Sequence, residues 1–289
     1  MIVDNTKQIL DKYNMRAKKG YGQNFLISKA ILEKIVKASS LTKDDYVIEI
    51  GPGIGTLTEF LCMNAKHVLC YEIDKDMYDI LQDTLKEYDN KDIILGDFLK
   101  QDVKKDIKTY FNGAHNIKVV ANLPYYITTP IIFKLLEIDN ISEFTYMIQK
   151  EMGERFVGVV NTKDYNALSV YMAYFTDTIK AFNVTRANFM PSPNVDSVVL
   201  HSKISKKDLS LKDESSFLKF VKAIFNQRRK TMVNNISSFY KIPKSEIEDR
   251  LKEININISI RSEALSLEEI AYVYKHLFEE AWYERIWFN

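Results

Sequence analysis

With 289 residues, 46% of them apolar, the chain exceeds one average domain and can bury a sizeable core, which predicts one large domain and one smaller. Two cysteines point away from a disulfide scaffold, and four histidines without common ligand spacing predict no metal. No apolar leader is visible and no apolar run approaches the roughly 18 residues of a membrane span, so a cytoplasmic protein without membrane attachment is expected.

The elements follow an α/β order. A first helix is predicted from Ala30 to Ala38 and a buried strand over Tyr46–Ile50. That strand runs into Gly51-Pro52-Gly53-Ile54-Gly55 and a helix from Thr56 to Ala65. Glycines at such a place permit a tight turn and close approach of a ligand to backbone where a helix starts. The next strand, His67–Tyr71, ends in Glu72-Ile73-Asp74, about twenty residues beyond the glycines, where an acidic side chain accepts hydrogen bonds from a ribose diol. A helix over Lys75–Tyr88 and a strand over Asp92–Leu95 lead to Gly96-Asp97-Phe98. Asp97 is a carboxylate for an adenine amine and Phe98 a ring to pack on the adenine; a plain helix cap is the other reading of Asp97.

The fourth strand, Ile117–Ala121, delivers Asn122-Leu123-Pro124-Tyr125. The lone pair of an exocyclic amine is delocalised into its ring, so the nitrogen attacks poorly until acceptors hold its hydrogens. Asn122 offers a side-chain oxygen. Leu123 offers a carbonyl, which the extended conformation favoured before proline can aim outward. Tyr125 offers a stacking face for an unstacked base, worth roughly 1–3 kcal/mol. A turn proline beside a surface tyrosine is the bland alternative.

Helices follow at Thr129–Glu137 and Gly153–Val160, with a strand near Tyr146 between them. Strands over Ile179–Ala187 and Val195–Ile204 flank Phe189-Met190-Pro191-Ser192-Pro193. Alternation of this kind indicates a parallel sheet with helices on both faces. After Lys206-Lys207-Asp208 come helical patterns over Ser215–Phe225 and Arg228–Tyr240, a break at Pro243, and further helices from Ser245 and Ser266. The expected domains are 1–205 and 206–289, the second helical.

The formal net charge of +1 hides a split. Lys and Arg outnumber Asp and Glu by 6 to 2 over residues 1–29 and by 11 to 3 over 203–244. Acids lead by 24 to 18 over 30–202 and by 10 to 5 over 245–289. Concentrated positive charge at two places is a footprint for a polyanion. Arg228, Arg229 and Lys230 are candidate phosphate contacts rather than base readers.

Four successive strand ends thus carry a glycine turn, a ribose acid, an adenine acid and Asn-Leu-Pro-Tyr. In this the sequence resembles the class I S-adenosylmethionine-dependent methyltransferases. It resembles more closely the small-subunit (16S) ribosomal RNA adenine dimethyltransferases of the KsgA/Dim type. Further stretches similar to that family are Gly22-Gln23-Asn24-Phe25-Leu26, Asn166-Ala167-Leu168-Ser169-Val170, Phe189 through Ser197, and Gln227-Arg228-Arg229-Lys230-Thr231.

The resemblance implies a Rossmann-like, seven-stranded mixed sheet closed by an antiparallel hairpin, with a small C-terminal helical domain that recognises RNA. It implies S-adenosylmethionine as cofactor, with Asn24 and Leu26 over its methionine end, Gly51 and Gly53 close to it through backbone, Glu72 on the ribose, Asp97 and Phe98 at the adenine, and Ile73 as a further cofactor-binding residue. Asn122 would touch both cofactor and target amine, with Leu123 as the second acceptor. Tyr125 and Phe189 would stack the flipped base; for Phe189 a core aromatic beside a turn is the alternative. Glu49 is left without a role. The implied partner is 16S rRNA within the small ribosomal subunit precursor, met by a monomer. Two other readings stay open: a large-subunit (23S) rRNA adenine methyltransferase of the macrolide-resistance type, and a non-catalytic RNA-binding assembly or transcription factor on the same fold.

Overall fold

A computed structural model describes residues 1–14 and 24–279. The chain divides into two compact units, the first built from Met1–Gly153 and Thr178–Ile204, the second from Glu154–Asp177 and Ser205–Asn289.

The elements of the first unit begin with α1 (Thr6–Lys12), β1 (Phe25–Leu26), α2 (Lys29–Ala38), β2 (Tyr46–Ile50) and α3 (Thr56–Asn64). Then come β3 (His67–Glu72), α4 (Lys75–Thr84), β4 (Lys91–Leu95), α5 (Val103–Tyr110), β5 (Ile117–Asn122), α6 (Thr128–Leu136) and β6 (Ile141–Gln149). Helices α7 (Lys150–Phe156) and α8 (Ala167–Phe175), the latter within the second unit, precede β7 (Thr176–Val184), β8 (Phe189–Met190) and β9 (Ser197–Ile204).

Seven strands form one sheet in the order β4-β3-β2-β5-β6-β9-β7. Strands β2 to β6 pair in parallel, and β9 runs antiparallel to β6 with Met147 opposite Val199. The expected mixed sheet is therefore present. Its central strands are mostly apolar, as in parallel sheets covered on both faces; Val47, Ile48, Val68, Leu69, Val119 and Val120 are all buried. The parallel strands all point their C-terminal ends to one edge, and the order reverses between β2 and β5, where a crevice opens in sheets of this kind.

Two local features were not anticipated. Helix α5 has few apolar residues, and it forms because Asp102 caps it, accepting from the Lys105 N–H at 3.1 Å, while Val103 and Ile107 point inward. The first residues, expected only to carry basic charge, pack instead: Ile2 joins Phe25, Ile54, Met77 and Leu81 in one apolar cluster, and its N–H donates to buried Glu59 at 2.8 Å. Lys12 is spent on Asp83 at 2.7 Å. Gly22 and Gln23, with the rest of 15–23, lie outside the described residues.

The second unit contains α8, α9 (Glu214–Ile224), α10 (Met232–Tyr240), α11 (Lys244–Glu253) and α12 (Leu267–Tyr274). Here the expected boundary at 205/206 is corrected, since Glu154–Asp177 packs with the C-terminal helices. The reason is the core: Tyr165, Val170 and Tyr174 share a cluster with Phe217, Phe220, Ile224 and Tyr274. Three tyrosine hydroxyls fasten it, Tyr165 to the Leu265 carbonyl at 2.9 Å, Tyr171 to the Leu218 carbonyl at 2.7 Å and Tyr174 to the Glu214 carboxylate at 2.6 Å. Helix α10 starts at Met232, not at Arg228, because the Thr231 hydroxyl caps it, accepting from the Asn234 N–H. Arg228, Arg229 and Lys230 therefore lie in the preceding turn.

Candidate functional site

The C-terminal ends of β2, β3, β4 and β5 line one open cleft in the first unit, the place where ligands bind in sheets of this kind. Every cofactor-binding residue expected from the sequence lines it: Asn24, Leu26, Gly51, Gly53, Glu72, Ile73, Asp97, Phe98 and Asn122. Leu123 and Tyr125 line it too.

The floor is the glycine turn. Gly51 and Gly53 have φ of 70° and 60°, in the left-handed region that side chains disfavour. A Cβ on Gly53 would come within 3.2 Å of the Phe25 ring, and one on Gly51 would lie 3.7 Å from Pro124, filling the space between two strand ends. The turn is thus a backbone cradle that any side chain would obstruct.

Glu72 joins the turn to the next loop. One carboxylate oxygen accepts from the Gly53 N–H at 3.2 Å and the other from the Asp74 N–H at 2.8 Å. The residue is 4% exposed, and burial pushes its carboxyl up to about 7, against the pull of those N–H groups. Glu49, 1% exposed, also borders the cleft; burial pushes it up to about 8, so it is largely protonated at neutral pH, and the Cys70 thiol donates to it at 3.7 Å.

Asp97 proves to be a cap as well as a cleft residue. One of its oxygens accepts from the Leu99 N–H at 3.0 Å, and the other stands 3.8 Å from the Lys100 ammonium. Phe98 is buried edge-on against Tyr71, with ring centroids 5.2 Å apart. Sequence reasoning missed Lys134 on α6, whose ammonium donates to the carbonyls of Phe98, Leu99 and Gln101 at 2.8, 3.0 and 2.7 Å and so fixes the loop after β4. A single lysine inside Thr-Thr-Pro-Ile-Ile-Phe-Lys-Leu-Leu was the available signal.

Asn122 ends β5 with its amide nitrogen donating to the Asn24 carbonyl at 3.4 Å. That bond uses one of the two N–H donors and orients the amide, whose side-chain oxygen is its acceptor. Around it the loop is braced: Leu123 N–H donates to the Met147 carbonyl at 3.1 Å, and the Ile127 N–H and Thr128 hydroxyl both donate to the Pro124 carbonyl at 3.2 Å. The Tyr125 hydroxyl meets the Ser197 hydroxyl at 2.7 Å, and burial raises its pKa, so it stays neutral. Ser197, the last residue of the Phe189–Ser197 stretch, had no role assigned from the sequence. Tyr126 also lines the cleft, 55% exposed, and was not singled out.

The structure does not bring Phe189 to the cleft. It is 3% exposed in β8, paired with Leu26 of β1 and packed in the apolar cluster of Leu26 and Val184, which is the core reading of this residue. Arg228, Arg229 and Lys230 are exposed in the second unit. Arg228 pairs with Glu263 at 3.1 Å. Buried Asn235 braces their turn, its amide donating to the Ile224 and Gln227 carbonyls at 2.7 and 3.2 Å while it accepts from the Gln227 N–H. Among the described residues no His, Cys, Asp and Glu group could hold a metal ion, and no helix is long and apolar enough to cross a membrane.

The seven-stranded mixed sheet and the cleft at its strand ends define a class I S-adenosylmethionine-dependent methyltransferase. A model of the family described as ribosomal RNA adenine dimethylase matches residues 14–278. The chain is 46% identical over 274 residues to the ribosomal RNA small subunit methyltransferase A of Lachnoclostridium phytofermentans, covering 92% of this chain and 93% of that one. It is 43% identical over 268 residues to the protein of the same name from Clostridioides difficile, covering 92% of each. Among solved structures, a dimethyladenosine transferase from Plasmodium falciparum superposes with a TM-score of 0.72 at 26% identity, over 88% of this chain and 98% of that one. The 23S rRNA methyltransferase ErmE has the same fold, with a TM-score of 0.66 at 24% identity over 88% and 99% of the two chains. The chain belongs to the ribosomal RNA adenine dimethylase family. It is an enzyme that uses S-adenosylmethionine as methyl donor.

Proposed function

We propose that this enzyme dimethylates the exocyclic 6-amino groups of two adjacent adenosines in the 3′-terminal hairpin of 16S rRNA, acting as a cytoplasmic monomer on a small-subunit precursor. The observation that carries the reading is the Asn122 amide on the cleft wall: one of its N–H groups donates to the Asn24 carbonyl, which orients the amide, and its oxygen serves as acceptor for a donor such as an adenine amine. When bound, S-adenosylmethionine supplies an electrophilic methyl group on its sulfonium.

The residues fit that cofactor. Gly51 and Gly53 admit it against bare backbone, Glu72 receives the ribose hydroxyls, and Ile73, Asp97 and Phe98 receive the adenine. Asn24 and Leu26 cover the methionine end, the first through a carbonyl already tied to Asn122. Asn122 and the Leu123 carbonyl accept the two hydrogens of the target amine, returning its lone pair to nitrogen. Tyr125, held by Ser197, supplies the stacking face. Phe189, buried as it stands, pairs with Leu26 and shares its apolar cluster rather than stacking the base. Arg228, Arg229 and Lys230 take phosphates, positioning the RNA without reading it.

The relatives named for the small subunit, at 43% and 46% identity, favour that substrate over the large subunit, for which the structural likeness lies at 24%. The test is to incubate purified protein and labelled cofactor with unmethylated small and large subunits and to map the labelled nucleotides. Label on two adjacent adenosines of the small-subunit hairpin is expected; label confined to large-subunit RNA would reverse the assignment, and none on either would favour the non-catalytic reading.

A further inference from the structure

Tyr126 is a large aromatic side chain, 55% exposed, on the wall of a cleft built for nucleotides. Its neighbours explain why it is there. Tyr125–Ile127 form one 3-10 turn, in which successive side chains diverge by about 120°. Tyr125 is directed inward, its hydroxyl on Ser197 at 2.7 Å. Tyr126 is therefore directed elsewhere from the same short turn, lining the cleft while remaining 55% exposed. The Thr128 hydroxyl bonds the Pro124 and Tyr125 carbonyls at 3.2 and 3.4 Å, so the turn that carries both rings is held at its base.

Flipping an adenine into the Asn122 clamp leaves an unmet need. The nucleotide next in the strand loses its stacking partner, and unstacking costs a few kcal/mol. An exposed ring next in sequence to Tyr125, on a turn whose backbone is held, is suited to replace that partner. We propose that Tyr126 is a positioning residue that stacks on the base adjacent to the flipped adenine, so that the cleft grips two consecutive nucleotides. The inference rests on the proposed adenine-methylating function and extends it from the target base to its neighbour. Stacking uses the ring and not the hydroxyl, so phenylalanine and tryptophan serve in its place.

The test compares wild type with Tyr126→Ala, Tyr126→Phe and Tyr126→Trp on unmethylated small subunits, and on reconstituted subunits whose RNA is abasic immediately 5′ or 3′ of the target adenosine. Tyr126→Ala is expected to raise the KM for the subunit about tenfold, within the range of one missing base–aromatic stack, with kcat changed less than about twofold and cofactor Kd unchanged. The phenylalanine and tryptophan variants are expected to stay within about threefold of wild type. On one of the two abasic substrates the wild type falls to the level of Tyr126→Ala, and Tyr126→Ala loses nothing further. Equal proportional losses by both proteins on both abasic substrates would overturn the inference, as would full activity of Tyr126→Ala or failure of phenylalanine to substitute. Absence of adenosine methylation by the wild type would overturn the proposed function itself, and it is read from the unmodified substrate alone.

Discussion

The cleft of the first unit and the basic turn of the second handle charge in opposite ways. In the cleft each polar side chain is fixed before any ligand arrives: Glu72 by two backbone N–H groups, Asn122 by the Asn24 carbonyl, Tyr125 by Ser197. In the turn Asn235 braces the backbone and Glu263 holds Arg228, while Arg229 and Lys230 are exposed. Methyl transfer depends on geometry, so the proposed acceptors of the amine need to be pre-positioned. Phosphate binding depends on the number of charges and tolerates mobile side chains. Damage to the first should therefore appear in turnover, and damage to the second in binding and its salt dependence.

The largest effect belongs to Asn122. Asn122→Ala is expected to lower kcat at least about a hundredfold, the scale of removing one transition-state hydrogen-bond partner, while cofactor Kd moves less than about tenfold. Calorimetry beside single-turnover methylation checks both halves, and full activity would remove the amine clamp. Next comes the basic turn. Replacing Arg228, Arg229 and Lys230 together by alanine should weaken subunit binding and flatten the slope of log K against log salt by roughly 0.7 to 0.9 for each phosphate left unneutralised, with cofactor Kd unchanged. Equal losses for subunit and cofactor would mean that the second unit had misfolded.

Protons distinguish the two regions further. Glu72 at about 7 must lose its proton to accept fully from a diol, so cofactor affinity is expected to rise as pH increases through about 7, and Glu72→Gln should abolish that dependence. Stability runs the other way. Glu49 and Glu72 hold protons in the folded protein that the unfolded chain releases near 4.5, so stability without cofactor falls as pH rises from about 4.5 to about 8. Thermal melts should show a flatter profile for Glu49→Gln. The smallest effect is Ser197→Ala, which frees the Tyr125 hydroxyl; a three- to tenfold drop in kcat is expected, about the worth of one hydrogen bond. A drop confined to KM would instead make Tyr125 a binding group only.

Much of the first unit was legible in the sequence because buried parallel strands read as short apolar runs punctuated by glycine and proline. Tyr46–Ile50 was recovered with both its bounds, and the strand expected over Ile117–Ala121 to within one residue of its end. Helix α5 was not, since Val103 and Ile107 give too thin a stripe. The 205/206 boundary failed for a related reason: α8, Ala-Leu-Ser-Val-Tyr-Met-Ala-Tyr-Phe, is apolar on all sides, and such a helix does not declare which core it joins. Within the site, the residue types at strand ends were legible, but their partners were not. Ser197 reaches Tyr125 across 72 positions and Lys134 reaches Phe98 across 36, and neither pairing leaves a periodic trace. Phe189 shows the limit of motif reading, since an aromatic residue beside a proline-rich turn serves a core as readily as a cleft.

The two-residue pairing of Phe25 and Leu26 with Met190 and Phe189 ties together segments more than 160 positions apart, and Asn24 extends the tie to Asn122. Three stretches of the gene thus encode one joint. A single replacement in any of them would meet partners shaped for the original, whereas matched replacements across the joint could pass. Homologues of this enzyme should accordingly vary at positions 25, 26, 189 and 190 in concert, and a library that randomises all four at once should yield active variants that stepwise mutation does not reach.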